Sequence, residues 1–197
     1  TNLHAKTAKG KKIVKAKTSH KPLNIKKTHS SGNSGIYGVS AKNKSDLVET
    51  KMAELRQRHR KAMTSGTAQE RKRATVEKKL LTSYSKWRGT RYALGGDSRR
   101  GIDCSALTRR VYREVYGYEL PRRTVQQVKV GAHVSKEDLK PGDIVFFRPE
   151  EKNNHTAVYL GDTLFINAST SKGVVISTLE NTYWNKYFKY GVRIREV

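Results

Sequence analysis

The first 45 residues carry eleven basic side chains and no aspartate or glutamate, and this asymmetry decides where a hydrophobic core can form. A basic segment with few large apolar residues cannot bury enough surface to offset the entropy lost on ordering, so residues 1–45 are predicted to be a disordered tail. Its end, Ser30-Ser31-Gly32-Asn33-Ser34-Gly35, reads as flexible linker. The core must come from the remainder, which in a chain of 197 residues is long enough for one ordinary domain. From residue 81 onward twenty basic side chains stand against twelve acidic ones, a net of +8 out of a total of +24. The tail is either a solvated arm or a source of weak attraction to a polyanion such as nucleic acid, anionic lipid or an acidic wall polymer.

Past the tail, residues 46–63 can form a helix with Val48, Met52 and Leu55 on one face, and Ser65-Gly66-Thr67 breaks it. A second helix over 68–86 sets Val76, Leu80, Tyr84 and Trp87 on one apolar stripe that should pack on the domain that follows. Residues 46–75 are read as a helical connector and 76–197 as the folded domain. Beyond Trp87 come a loop, a helix and short β-rich runs at 143–148, 155–160, 164–168, 174–178 and 190–195, divided by Gly, Pro, Asn and Asp. Connections this short leave no room for crossover helices, so the sheet is expected to be antiparallel. Helices followed by strands indicate an α+β domain. No run approaches the ~18 apolar residues of a bilayer span. The chain begins at Thr1 and not at Met, which suits a processed or trimmed product and permits, without demonstrating, a signal peptide as its leader.

Cys104 is the only cysteine, so no internal disulfide, zinc ribbon or paired-thiol redox site can form within the chain. It lies in Gly101-Ile102-Asp103-Cys104-Ser105-Ala106-Leu107, where a turn runs into an amphipathic helix. Asp103 suits the N-cap, and Leu107, Val111 and Val115 recur at helical spacing. A thiol in the first helical turn meets unpaired backbone N–H groups and the positive end of the macrodipole, which favour the thiolate. The bland alternative is a small buried hydrophobe. Partners elsewhere in the chain decide between the two.

Of six histidines, His4, His20, His29 and His59 fall in the tail or the first helix, and His133 approaches the polar cluster Ser135-Lys136-Glu137-Asp138 as an exposed loop residue. His155 instead opens the strand His155-Thr156-Ala157-Val158-Tyr159-Leu160, where a side chain can face a cleft, and is the better base for a thiol. An imidazole must be oriented by a third polar group. Asn167 interrupts the apolar strand Leu164-Phe165-Ile166-Asn167-Ala168, and a buried amide without a partner costs about 1–3 kcal/mol. A plain two-residue hairpin would put His155 and Asn167 on opposite faces of the sheet. A three-residue loop at Gly161-Asp162-Thr163 pairing Leu160 with Leu164, or an equivalent bulge, puts them on one face with Ala157, Tyr159 and Phe165.

The ordered motifs Trp87-Arg88-Gly89-Thr90-Arg91-Tyr92, Gly95-Gly96, Gly101-Ile102-Asp103-Cys104-Ser105, Leu120-Pro121-Arg122, Leu139-Lys140-Pro141-Gly142-Asp143-Ile144-Val145-Phe146-Phe147, His155 and Phe165-Ile166-Asn167-Ala168-Ser169 resemble the NlpC-type family of papain-like cell-wall cysteine peptidases, in particular its Gram-negative NlpC and Spr murein endopeptidases. The likeness covers about residues 76–197. It implies a circularly permuted papain-like domain in which Cys104 attacks, His155 is the base and Asn167 orients it. It further implies that Tyr92 lines the site as an oxyanion donor or substrate contact, beside Asp103, Ser105 and the backbone N–H of Cys104. Related members carry histidine where Asn167 stands, whereas Cys-His-Asn is the papain set. Leu94 stands for an aromatic, Ala106 for the glycine after Cys-Ser, and Thr156-Ala157 for Val-Gly. These departures bear on substrate fit and rate more than on reaction type.

The activity implied is a thiol endopeptidase of the bacterial envelope or periplasm, a monomer cleaving amide bonds of peptidoglycan stem peptides or cross-links with neither metal nor cofactor. The tail would add loose attraction to anionic envelope polymers. An acyltransferase or toxin-type amidase on the same scaffold shares the triad, and the departures leave open a catalytically weakened domain that only binds the cell wall. A nucleic-acid-binding protein is suggested by the sequence pI of 10.2, but no zinc finger, RNA-recognition signature or phosphate loop is present and the basic excess lies mainly outside the expected domain.

Overall fold

In the computed structural model the described residues are 44–149 and 153–194. The tail expected over 1–45 lies outside them except for its last two residues, which begin the first helix. Helix α1 (Lys44–Ser65) and helix α2 (Ala68–Trp87) form where the apolar stripes require. Met52, Leu55, Leu80 and Trp87 are buried in the main core, with Val48, Val76 and Tyr84 packed against it. Thr67 caps α2, its hydroxyl accepting the Glu70 N–H at 3.1 Å. Gly66 is required in the turn because a Cβ there would stand 2.5 Å from the Ala62 carbonyl oxygen. His59, read from sequence only as a residue of the first helix, is buried and hydrogen bonded to the equally buried Glu77 of α2. No described helix is long and apolar enough to cross a membrane.

A two-residue hairpin, β1 (Asp97–Ser98) and β2 (Gly101–Ile102), leads into α3 (Cys104–Tyr116), which ends at Gly117 in the left-handed conformation (φ 63°). A short turn of helix, α4 (Thr124–Gln127), follows. The six-stranded sheet then forms from β3 (Ala132–Val134), β4 (Ile144–Phe147), β5 (His155–Gly161), β6 (Leu164–Ser169), β7 (Gly173–Thr178) and β8 (Phe188–Arg193), in the spatial order β3-β8-β4-β5-β6-β7. Every pairing is antiparallel. The fold is α+β, as the order of elements in the sequence requires.

Alternation along the strands gives the sheet two apolar faces. Ile144, Phe146, Val158, Leu160, Leu164 and Ile166 join the core shared with the helices. Val145, Phe147, Ala157, Tyr159 and Phe165 form a second cluster covered by Trp184 and Phe188. Trp184 belongs to α5 (Thr182–Tyr187), capped by Asn181, an element too short to leave a helical period in the sequence. Strand β3 was not foreseen either. It makes His133 an edge-strand residue whose exposed ring stacks on Tyr190 with centroids 3.9 Å apart, where a loop had been expected.

The β5–β6 hairpin resolves the register question by a bulge. Val158 faces Ile166 and Tyr159 faces Phe165, but Gly161 faces Leu164, so one residue is inserted at Leu160. The two loop residues, Asp162 and Thr163, both have positive φ (51° and 69°), as a two-residue turn matching strand twist demands. His155 and Asn167 thereby lie on the same face.

Candidate active site

Cys104 is the first residue of α3, and Asp103 is its N-cap, its carboxylate accepting the Ala106 N–H at 2.9 Å. The thiol is buried, with the Thr124 hydroxyl and the Asn154 carbonyl oxygen each 4.0 Å from Sγ. Burial pushes the thiol pKa up, but a hydrogen bond from His155, the imidazole charge and the Thr156 backbone N–H outweigh it. Despite the opposing charge of Asp103, the net displacement is downward. The helix N-terminus adds to the same preference for thiolate.

His155 opens β5, and its Nε2–H donates to Oδ1 of Asn167 in β6. That bond leaves Nδ1 for the thiol. Asn167 has no solvent exposure, and its Nδ2 donates to the Ser177 hydroxyl of β7 at 3.3 Å, so both ends of the amide are held. One face of the imidazole is covered by the Trp184 indole, with ring centroids 5.2 Å apart and an interplanar angle of 28°.

Tyr92, Cys104, His155, Asn167 and Trp184 all line one cleft of about 1130 Å³. The structure therefore brings together four of the six residues singled out from sequence. Burial, reinforced by the charges of Cys104 and Asp103 against the opposing Arg122, raises the Tyr92 pKa, so its hydroxyl keeps its proton at neutral pH and can donate. Asp103 and Ser105 are not among the lining residues. Arg122 grips Asp103 through Nη1 at 3.0 Å and Nη2 at 2.9 Å and donates to the Ser105 hydroxyl at 2.8 Å, while the Gly95 N–H donates to Asp103 at 2.9 Å. Both side chains fasten the start of α3 to its surroundings. Among the described residues no group of three or more His, Cys, Asp or Glu is placed to hold a metal ion.

Sequence reasoning missed Trp184, Thr124 and Gln127. Fully buried Gln127 donates to the Ser105 and Pro121 carbonyls, both at 2.9 Å, and accepts the Thr156 hydroxyl at 2.9 Å. Thr108 in turn donates to the Cys104 carbonyl at 2.9 Å. The hydroxyl of Thr156, a departure from the related pattern, is thus satisfied within the wall behind His155. The aromatic run Tyr183-Trp184 after the capping Asn181 was the available signal for α5.

Residues 89–193 match the NlpC/P60 family. A probable endopeptidase NlpC homolog of Haemophilus influenzae is 48% identical over 118 residues, covering 60% of this chain and 63% of that protein. The murein DD-endopeptidase/LD-carboxypeptidase MepS of Escherichia coli is 41% identical over 119 residues, again 60% of this chain and 63% of the relative. The chain thus spans less than two thirds of the length of either protein. The crystal structure of the NlpC/p60 domain of the peptidoglycan hydrolase SagA superposes with a TM-score of 0.52 at 28% identity, covering 59% of this chain and 97% of that domain. The thiol at a helix N-terminus facing a strand-borne imidazole lies wholly within the matched residues, and this chain belongs to the NlpC/P60 family.

Proposed function

We propose that this chain is a cysteine endopeptidase of the cell envelope that hydrolyses amide bonds in murein stem peptides or their cross-links. The observation that carries the reading is the shared cleft of Cys104, His155 and Asn167. The names of the Haemophilus and Escherichia relatives support the substrate class. In this mechanism the Cys104 thiolate attacks the scissile carbonyl carbon. The resulting oxyanion is stabilised by the Cys104 backbone N–H and the protonated Tyr92 hydroxyl. His155, aligned by Asn167, gives its proton to the leaving amine, and the neutral imidazole then takes one from the water that hydrolyses the acyl-enzyme. The chemistry calls on neither metal nor cofactor. The basic residues 1–45 would add weak, salt-sensitive attraction to anionic envelope polymers in the periplasm.

Digestion of purified peptidoglycan, with fragments read by mass spectrometry, tests this. New stem-peptide fragments should appear with the wild type and not with Cys104→Ala. Identical fragment patterns for both would reject the peptidase reading.

A further inference from the structure

The cleft has a second wall that the family-matched residues do not supply. Val48, Met52 and Arg56 of α1 line it, although the family match begins only at residue 89. This wall is fixed. Met52 and Leu55 enter the core, and the Lys51 ammonium donates to the Asp162 carbonyl at 3.2 Å and the Thr163 hydroxyl at 3.0 Å while pairing with Glu180 at 3.0 Å. The buried His59–Glu77 bond ties α1 to α2 as well.

Three cations line the cleft, Arg56, Arg88 and Lys172, against the single carboxylate Glu49. None of the three has a carboxylate partner among the described residues, whereas Arg58, Arg73, Arg109, Arg110, Arg113 and Arg122 each have one. Like charges on one concave surface focus a positive potential into the cleft. Guanidinium groups present paired donors that match a carboxylate. Val48, partly buried on the same helix, offers apolar surface for the aliphatic parts of a peptide, which a polyphosphate chain lacks.

We infer that α1, with Arg88 and Lys172, forms a subsite for a free carboxylate of the substrate peptide and so selects acidic stem peptides for attack at Cys104. This rests on the peptidase reading and adds a specificity-determining surface to it. The contacts are partly solvated, so each arginine contributes about three- to fivefold in affinity, weakening as salt rises.

The test uses the full chain in two assays that need no turnover. Binding of a synthetic stem tetrapeptide with free carboxylates, and of its fully amidated form, is measured on Cys104→Ala. Alkylation of Cys104 by anionic iodoacetate and by neutral iodoacetamide is measured on the otherwise unaltered chain. The acidic peptide should bind more tightly than the amidated one, and Arg56→Gln and Arg88→Gln should each shrink that preference. The iodoacetate to iodoacetamide rate ratio should fall in the same two variants, with continued iodoacetamide reactivity reporting an intact thiol. Equal binding of the two peptides, or a preference and rate ratio untouched in the Arg56→Gln/Arg88→Gln double variant, would overturn the subsite. A wild type that leaves peptidoglycan uncut would instead overturn the peptidase reading, since neither assay depends on cleavage.

Discussion

The His155 imidazole is stacked on the Trp184 indole, ring centroids 5.2 Å apart and planes 28° from parallel. Phe147 approaches the same imidazole at 6.0 Å. The indole therefore limits ring rotation and shields the Asn167 bond from water, two effects that no residue inside the Cys-His-Asn set can supply for itself.

Replacing Trp184 should accordingly reduce turnover without abolishing it. Such aromatic contacts are worth about 0.5–1.5 kcal/mol beyond their buried area, so Trp184→Ala should lower kcat by roughly three- to tenfold. Trp184→Phe should recover most of that. Single-turnover rates on a stem-peptide substrate would show it, and an unchanged kcat in Trp184→Ala would mean that the indole only fills space.

Cys104 should titrate below the ~8.5 of a free thiol. Burial opposes ionisation, but the His155 hydrogen bond and charge and the Thr156 N–H prevail, so alkylation should already be fast near neutral pH. The rate should rise through a midpoint below ~8.5 in the wild type. In His155→Ala the desolvation remains while its main counterweight is gone, and the midpoint should move up. A midpoint that stays put in that variant would break the proposed thiol–imidazole pairing.

Asn167 should act on kcat rather than KM, because the imidazole must be aligned when the proton moves. A positioned acid–base group contributes about 10²–10⁴-fold, so Asn167→Ala should cost less than His155→Ala. Asn167→His should retain more activity than Asn167→Ala, since an imidazole nitrogen can still accept the Nε2–H bond. Equal kcat in wild type and Asn167→Ala would reduce the site to a dyad.

The helical stripes, the antiparallel strands and the cleft residues Cys104, His155 and Asn167 were legible because each leaves a local mark: a period, an alternation, or a polar residue in an apolar run. Parity alone calls for a three-residue loop pairing Leu160 with Leu164 or an equivalent bulge; the structure takes the bulge, pairing Gly161 with Leu164, and this depends on the positive φ of Asp162 and Thr163, which a β-branched Thr163 does not announce. Trp184 and β3 were hidden because six- and three-residue elements carry no readable period. The α1 wall was hidden for a different reason. Arg56 sits on a solvated helical face by its spacing, and only the packing of Met52 and Leu55 turns that face toward the cleft.

The Asp103–Arg122 pair should set the acid limit of the fold. Burial raises the Asp103 pKa, but the hydrogen bonds from Arg122, the Ala106 N–H and the Gly95 N–H outweigh it and hold the carboxyl below the usual range. A carboxyl depressed in the folded state stabilises above its unfolded value of about 3.9 and loses that contribution as pH falls through its folded value. Arg122→Ala removes two donors from a buried carboxylate and one from Ser105, which should cost about 2 kcal/mol at pH 7. With burial then dominant, Asp103 should bind its proton more readily in the folded than in the unfolded chain, so its contribution no longer falls with pH and the deficit of Arg122→Ala relative to wild type should narrow between pH 7 and pH 3. Asp103→Asn keeps a good N-cap but loses the titrating charge, so its stability relative to wild type should improve as pH falls. Urea unfolding at pH 7 and pH 3 separates these cases, and parallel losses in Arg122→Ala and wild type between the two pH values would show that this pair is not what acid undoes.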